Sequence, residues 1–164
     1  MRNLLILVLG LLVAGCGFQL RGAQPLPFSS LHVATQETSE LGAILKRNIR
    51  AMALTRLVDT PQEAQAVFTV IGEAREKNIL SLSGTGRVRE FQLRYRLAYR
   101  VHDSQGREFA PPTEIVLVRD ISFSDERVLA KEQEESLLYR DMQNDMAQQV
   151  LRRLASIKAV ARPE

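Results

Sequence analysis

The chain has 164 residues, 45% of them hydrophobic, and 22 basic against 19 acidic side chains give it a formal net charge of +3 at pH 7. This length is enough for one domain and requires no second one, and the mild basicity argues against bulk nucleic-acid binding. A single cysteine excludes a disulfide framework, and two widely separated histidines with scattered carboxylates do not predict a metal cluster.

The N-terminal segment indicates secretion and lipid attachment. Arg2 supplies one positive charge, residues 4–13 are apolar, and two small residues stand directly before Cys16. The apolar part is shorter than the roughly 20 residues of a membrane-spanning helix, so residues 1–15 are predicted to be a secretory signal peptide. The segment resembles a bacterial lipobox, which implies that Cys16 becomes the acylated first residue. By resemblance to Gram-negative lipoprotein sorting, Gly17 in place of an aspartate favours the outer membrane.

The mature chain is predicted to be one domain on a tether. Removal of 15 residues from 164 leaves 149, and once Cys16 is acylated no cysteine is left for a disulfide. The domain must therefore be stabilised by its core alone. Residues 16–30 contain glycine and proline among few periodic apolar residues, which suits an acylated N-terminus and tether. The domain is predicted at 31–158, and residues 159–164 form a frayed tail.

The first half of the domain is predicted to run strand, helix, strand. Residues 31–35 form a short strand, and apolar residues then recur at helical spacing from Ser39, a good N-cap, to Ala53. Residues 66–83 form either one long strand or two strands separated by a bulge. Residues 73–77 within them are too charged for a buried central strand.

The clearest strand follows a glycine turn at 84–86. In residues 90–102, apolar side chains occupy every second position, namely Phe91, Leu93, Tyr95, Leu97, Tyr99 and Val101. This period predicts a half-buried strand of an antiparallel sheet. The other face carries Arg94, Arg96 and Arg100. These arginines form either a basic track for phosphates and carboxylates or a solvated face with local ion pairs.

The second half continues with a strand and a long helix. A strand predicted at 114–125 has a second, partly apolar face through Val116 and Val118, which marks either a protein interface or a strand covered on both sides. The helix predicted at 131–157 carries an apolar stripe, formed by Leu138, Met142, Met146, Val150 and Leu154. These elements predict an α+β fold with one layer of helices over half-buried strands.

No catalytic motif stands out. The sequence has no GxSxG and no HExxH, and the 84–86 turn lacks the GK[ST] of a phosphate loop and precedes a strand. One alternative stays open, namely an envelope hydrolase that uses two carboxylates brought together only by folding. The chain is predicted to be neither an enzyme nor dependent on a metal or cofactor.

Three stretches carry a family resemblance. They read GCGFQLRG at 15–22, REFQL at 89–93, and LAKEQEE at 129–135 with ASI at 155–157. Together with the lipobox they resemble the LptE (RlpB) family of lipopolysaccharide-assembly lipoproteins. The resemblance implies a two-layer α+β sandwich of two α-helices on a mostly antiparallel four-stranded sheet. It also implies an outer-membrane lipoprotein that plugs and helps assemble the LptD β-barrel, forming the translocon that inserts lipopolysaccharide into the outer leaflet.

The resemblance also suggests where lipopolysaccharide binds. It implies that basic residues near the sheet touch the headgroup, and Lys131 matches one such position. The other position, near the turn before the long strand, is Ser83 here, with Arg87 close by. The candidate lipopolysaccharide-binding residues are Lys131, Arg87, Arg94, Arg96 and Arg100. The alternatives are an accessory lipoprotein of another envelope lipid-transport system and, less favoured, a cell-wall hydrolase.

Overall fold

The computed structural model describes residues 25–124 and 127–157. The predicted signal peptide, Cys16, the end of the predicted strand at 125 and the C-terminal tail lie outside these ranges. Within the described residues, no helix combines the length and apolar character needed to span a membrane.

The described elements follow the predicted order, with one additional short strand. In chain order they are β1 (Ser30–Ala34), α1 (Glu40–Met52), β2 (Arg56–Leu57), a 3-10 turn (Pro61–Glu63), β3 (Ala66–Leu82), β4 (Val88–His102), β5 (Glu108–Ser122) and α2 (Val128–Ser156).

All five strands belong to one sheet with the order β2-β1-β3-β4-β5. Strand β1 runs parallel to β2 and β3, whereas β3, β4 and β5 pair antiparallel. The α+β class and the mostly antiparallel sheet are confirmed. The sheet has five strands where four were expected, because a two-residue strand such as β2 is too short to show an alternating pattern.

Strand β4 lies between β3 and β5, and its predicted alternation is confirmed. Its apolar residues, among them Leu93, Tyr95 and Leu97, are buried under the helices. Helix α2 buries its predicted stripe against them through Met142, Met146, Val150 and Leu154. Each fully buried side chain of this size stabilises the fold by about 1.5–3 kcal/mol relative to an exposed one.

Helix α1 begins where the sequence predicted. The Ser39 Oγ accepts a hydrogen bond from the Gly42 backbone N–H at 3.0 Å, so the predicted N-cap is confirmed. The helix ends at Ala53, which has a left-handed backbone conformation with φ of 55°. Its buried face, which includes Leu41, Leu45 and Ile49, packs into the same core as α2.

Strand β3 is one long strand with irregularities, which decides between the two predicted alternatives. Its pairing with β4 shifts register between Val70 and Gly72 and again after Ile79. Only Ala66–Thr69 also pair with β1. Beyond Thr69, β3 is therefore bordered by a strand on one side only, and this explains why it tolerates a charged stretch.

Strand β5 begins earlier than predicted, at Glu108, and includes Pro111 and Pro112. Prolines are tolerated because β5 is an edge strand, where a missing N–H need not leave a neighbouring strand without a partner.

The end of the predicted tether is docked on the domain. Leu26 and Phe28 are buried in the core, and the Phe28 ring centroid lies 5.2 Å from that of Phe109. The structure therefore continues the core to at least Leu26.

Candidate functional site

The sheet face opposite the helices carries the three predicted arginines of β4. We call it the open sheet face, and its central residues are Glu76, Arg94, Arg96, Arg100, Glu114, Val116 and Val118. The strand register sets Arg94 between Glu76 and Val118, and Arg96 next to Val116. The two valines are 39% and 38% exposed. The second face of β5 is thus accessible to a partner.

Arg96 forms ion pairs across the open sheet face. Its guanidinium lies 3.4 Å from a Glu76 carboxylate oxygen and 3.7 Å from one of Glu114. The Arg96 side chain is about half exposed, so each pair contributes at most about 1 kcal/mol. The local ion pairs that the sequence left open as an alternative are therefore present at this residue.

Arg94 and Arg100 differ from Arg96. Both are exposed, and within the described residues neither has a carboxylate oxygen within 4 Å. Ala98 separates Arg96 from Arg100 on this face. The open sheet face therefore has mixed charge, with Arg94 and Arg100 as the β4 arginines available to an external anion.

Lys131 lies in the first turn of α2, beside the end of β5. Its Nζ donates to Ser122 Oγ at 3.0 Å and to a Glu134 carboxylate oxygen at 2.8 Å. The side chain is only 19% exposed. To contact a ligand phosphate, Lys131 would have to share or exchange its bond to Glu134.

Arg87 closes the β3–β4 turn. The Ser83 N–H donates to the Arg87 carbonyl at 2.7 Å, and the Arg87 N–H donates to Ser83 Oγ at 3.1 Å. Gly86 has a φ of 78°, the left-handed conformation that favours glycine. Ser83 therefore holds the turn, and the exposed Arg87 side chain projects from it.

The five candidate basic residues do not form one pocket. Arg87 and Arg100 are 13 residues apart along an extended strand, a separation of about 44 Å at about 3.4 Å per residue. Ser122, the partner of Lys131, pairs with Glu90, so Lys131 and Arg87 lie near the same end of the sheet. The candidates therefore follow the length of β4, and no single small ligand contacts all of them.

An apolar surface that the sequence did not reveal lies at the Lys131 end of the sheet. Ile79 and Leu82 of β3 are 58% and 55% exposed, and Leu80 and Leu129 are also exposed. We call these four residues the apolar tip. Several exposed aliphatic side chains near one end of a domain indicate a candidate protein or lipid contact.

A polar cluster lies on the helix side of the sheet, where α1, β3 and α2 meet. The Arg75 guanidinium lies over the rings of Tyr95 and Tyr139, 5.6 and 5.5 Å from their centroids. Its Nη2 donates to Glu40 Oε2 at 3.0 Å, and Gln143 Nε2 donates to the same oxygen at 2.9 Å. Arg75 is thus fixed between two rings and a carboxylate.

The charge states in this polar cluster follow from its hydrogen bonds and burial. The hydrogen bonds from Gln143 and Arg75 lower the pKa of Glu40 below its ordinary value. Burial, followed by the hydrogen bond to Glu73, raises the pKa of Tyr95. At neutral pH the cluster therefore contains an ionised Glu40 and a neutral Tyr95. Its only sequence signal was the charged stretch within β3.

No metal-binding group is found in the part of the chain that the structure describes. Within residues 25–124 and 127–157, no three His, Cys, Asp or Glu side chains lie close enough together to hold a metal ion. The same residues leave no buried side-chain nitrogen or oxygen without a hydrogen-bond partner.

The chain is similar to proteins of lipopolysaccharide assembly. A family model described as LptE, lipopolysaccharide-assembly, matches residues 28–154. The LPS-assembly lipoprotein LptE of Yersinia enterocolitica is 26% identical over 167 residues, which cover 96% of this chain and 78% of that protein.

Two solved structures share the fold. An uncharacterized lipoprotein B from Nitrosomonas europaea, solved by NMR, is 39% identical with a TM-score of 0.76, over 88% of this chain and 94% of that one. The rare lipoprotein B of Shewanella oneidensis, a crystal structure, is 30% identical with a TM-score of 0.68, over 77% of this chain and 94% of that one.

Proposed function

The chain belongs to the LptE family of lipopolysaccharide-assembly lipoproteins, and from this premise we propose that it plugs the LptD β-barrel and assists its assembly. Together the two proteins form the translocon that inserts lipopolysaccharide into the outer leaflet. Acylated Cys16 anchors the chain in the outer membrane on the periplasmic side, and the domain enters the barrel lumen. The family match over residues 28–154 carries this proposal.

The open sheet face supports the plug role. The interior of a large membrane barrel is polar, so a plug needs a surface that binds polar groups and water without a large apolar area. The mixed charges of Arg94, Arg96 and Glu114 meet that need. Val116 and Val118 add only a limited apolar area to this face.

Direct lipopolysaccharide binding is the second part of the proposal. Guanidinium and ammonium groups form strong, charge-assisted hydrogen bonds with phosphates and carboxylates. Arg87, Arg94 and Arg100 are exposed. Arg96 and Lys131 are engaged in ion pairs and contribute only after exchanging them. These basic residues follow the length of β4, so they suit a headgroup large enough to contact several of them along the strand.

The plug role is tested by affinity purification of the full-length lipoprotein from detergent-solubilised outer membranes, followed by mass spectrometry. We expect LptD to be retained in stoichiometric amount. An unrelated lipoprotein with the same tag controls for carry-over in detergent. Recovery of a different transport component would favour the accessory-lipoprotein alternative, and absence of LptD would contradict the proposal.

A further inference from the structure

A groove of about 640 Å³ lies between α1 and α2, on the helix side of the fold. Three arginines from three different elements line it, Arg47 of α1, Arg75 of β3 and Arg140 of α2. Ser136 and Asn144 of α2 add a hydroxyl and an amide. The groove thus brings three guanidinium groups to one cavity, together with neutral hydrogen-bonding side chains.

The positive charge of this groove is not balanced by its own residues. Glu40 is the one acidic residue in its lining, and it already accepts hydrogen bonds from Arg75 and Gln143. Arg47 and Arg140 have no carboxylate oxygen within 4 Å among the described residues. Two guanidinium groups therefore remain available to an anion.

The groove is also partly preorganised. Arg75 is held by Glu40 and by the rings of Tyr95 and Tyr139, so it loses little side-chain freedom when a ligand binds. A carboxylate has two acceptor oxygens, whereas a terminal phosphate has three. The three phosphate oxygens can accept hydrogen bonds from guanidinium groups that approach from different sides. The arrangement of the arginines on three elements favours phosphate.

We propose that the groove between α1 and α2 binds the phosphate group of an anionic ligand, with Arg47 and Arg140 as its principal contacts. This site is separate from Lys131, Arg87 and the open sheet face. The phosphate belongs either to a lipid headgroup or to a soluble phosphorylated compound. Only the lipid source rests on the proposed function.

The test is a calorimetric titration of the full mature lipoprotein in nonionic detergent with pyrophosphate. We expect the double variant R47A/R140A to lose at least about tenfold in affinity, equivalent to about 1.4 kcal/mol. The matched control R50A/R152A removes one exposed arginine from each of the same two helices outside the groove, and we expect less than about a twofold change there. An equal loss in both variants, or no loss in either, would overturn the proposal.

A second titration distinguishes the sources of the phosphate. The same variants are titrated with lipopolysaccharide and with lipopolysaccharide whose phosphates have been removed. Loss of affinity of R47A/R140A for pyrophosphate and for intact lipopolysaccharide identifies the lipid headgroup, whereas loss for pyrophosphate alone identifies a soluble ligand.

Retention of LptD by R47A/R140A is measured in parallel, so failure of this site is distinguishable from failure of the plug role. Thermal unfolding checks folding, and the milder R47Q and R140Q variants replace any double variant that unfolds.

Discussion

Arg75 Nη2 lies 3.0 Å from Glu40 Oε2, and this ion pair joins the middle of β3 to the first turn of α1. Glu40 also lies where the positive end of the helix dipole favours a negative charge. The same carboxylate accepts a hydrogen bond from Gln143 of α2. One side chain therefore links both helices to the sheet at the edge of the proposed phosphate groove.

The pH dependence of stability should report this link. Because hydrogen bonds lower the pKa of Glu40 in the folded state, its stabilising contribution is present at neutral pH and is lost as the pH falls through its folded pKa. In urea unfolding we expect Glu40→Gln to be less stable than the parent at neutral pH, and the difference to shrink as the pH falls below the ordinary glutamate pKa. Glu37→Gln, an exposed neighbour, is the control. A difference in unfolding free energy between the parent and Glu40→Gln that stays constant with pH would contradict the prediction.

Gly42 is required by close packing against the β1–α1 loop. An alanine Cβ there would clash with Thr35 Oγ1, so Thr35 would have to move. Alanine in a helix is normally favoured by about 1 kcal/mol, but overpacking costs about 1–3 kcal/mol, so we expect Gly42→Ala to be net destabilising in chemical unfolding. Gly72→Ala, whose Cβ would meet nothing within 4 Å, is the control. Increased stability of Gly42→Ala would show that the loop adapts freely.

The arginines of β4 should differ in their effect on lipopolysaccharide affinity. Arg94 and Arg100 have no acidic partner among the described residues, whereas Arg96 is paired with Glu76 and Glu114. We expect the neutral variants R94Q and R100Q each to weaken lipopolysaccharide binding several-fold in a direct binding assay, and R96Q to weaken it less.

The triple reversal of Lys131, Arg94 and Arg96 to glutamate should lower lipopolysaccharide affinity by at least about tenfold. Its matched control reverses Arg50, Arg56 and Arg152, exposed arginines outside β4 and distant in sequence from Lys131. A folded triple variant with unchanged affinity would remove all three residues from the binding surface.

The apolar tip, which is separate from the central residues of the open sheet face, should contribute to binding of the barrel because exposed aliphatic side chains indicate a protein contact. Replacing Ile79 and Leu82 by aspartate leaves the buried core intact because both side chains are more than half exposed. We expect the double variant to keep its thermal unfolding midpoint and to retain several-fold less LptD in the affinity purification. Leu54→Asp, which changes an equally exposed leucine after α1, should retain LptD normally. Full retention of LptD by the tip variant would exclude this surface from the interface.

Much of the fold was determined by local patterns in the sequence. The alternation from Phe91 to Val101 identified β4 and its buried face, and the stripe through Met142 and Met146 identified the face of α2 that packs on it. Ser39 marked the start of α1 through its own side-chain hydrogen bond. These predictions succeeded because each depends on neighbours within one element, where residue spacing sets direction. The short β2 shows the limit, since two residues carry no period.

Only the tertiary structure decided which charges meet. Nothing near Arg96 in the chain indicates Glu76 and Glu114, which reach it through the register of three strands. Likewise, Arg47 and Arg140 line the same groove only because α1 and α2 pack side by side. Residue types and spacing determine what a single strand or helix presents, whereas strand register and helix packing determine which groups lie within hydrogen-bonding distance. For this protein, the sequence by itself determined the elements and their buried faces, and the tertiary structure decided the partners of its basic residues.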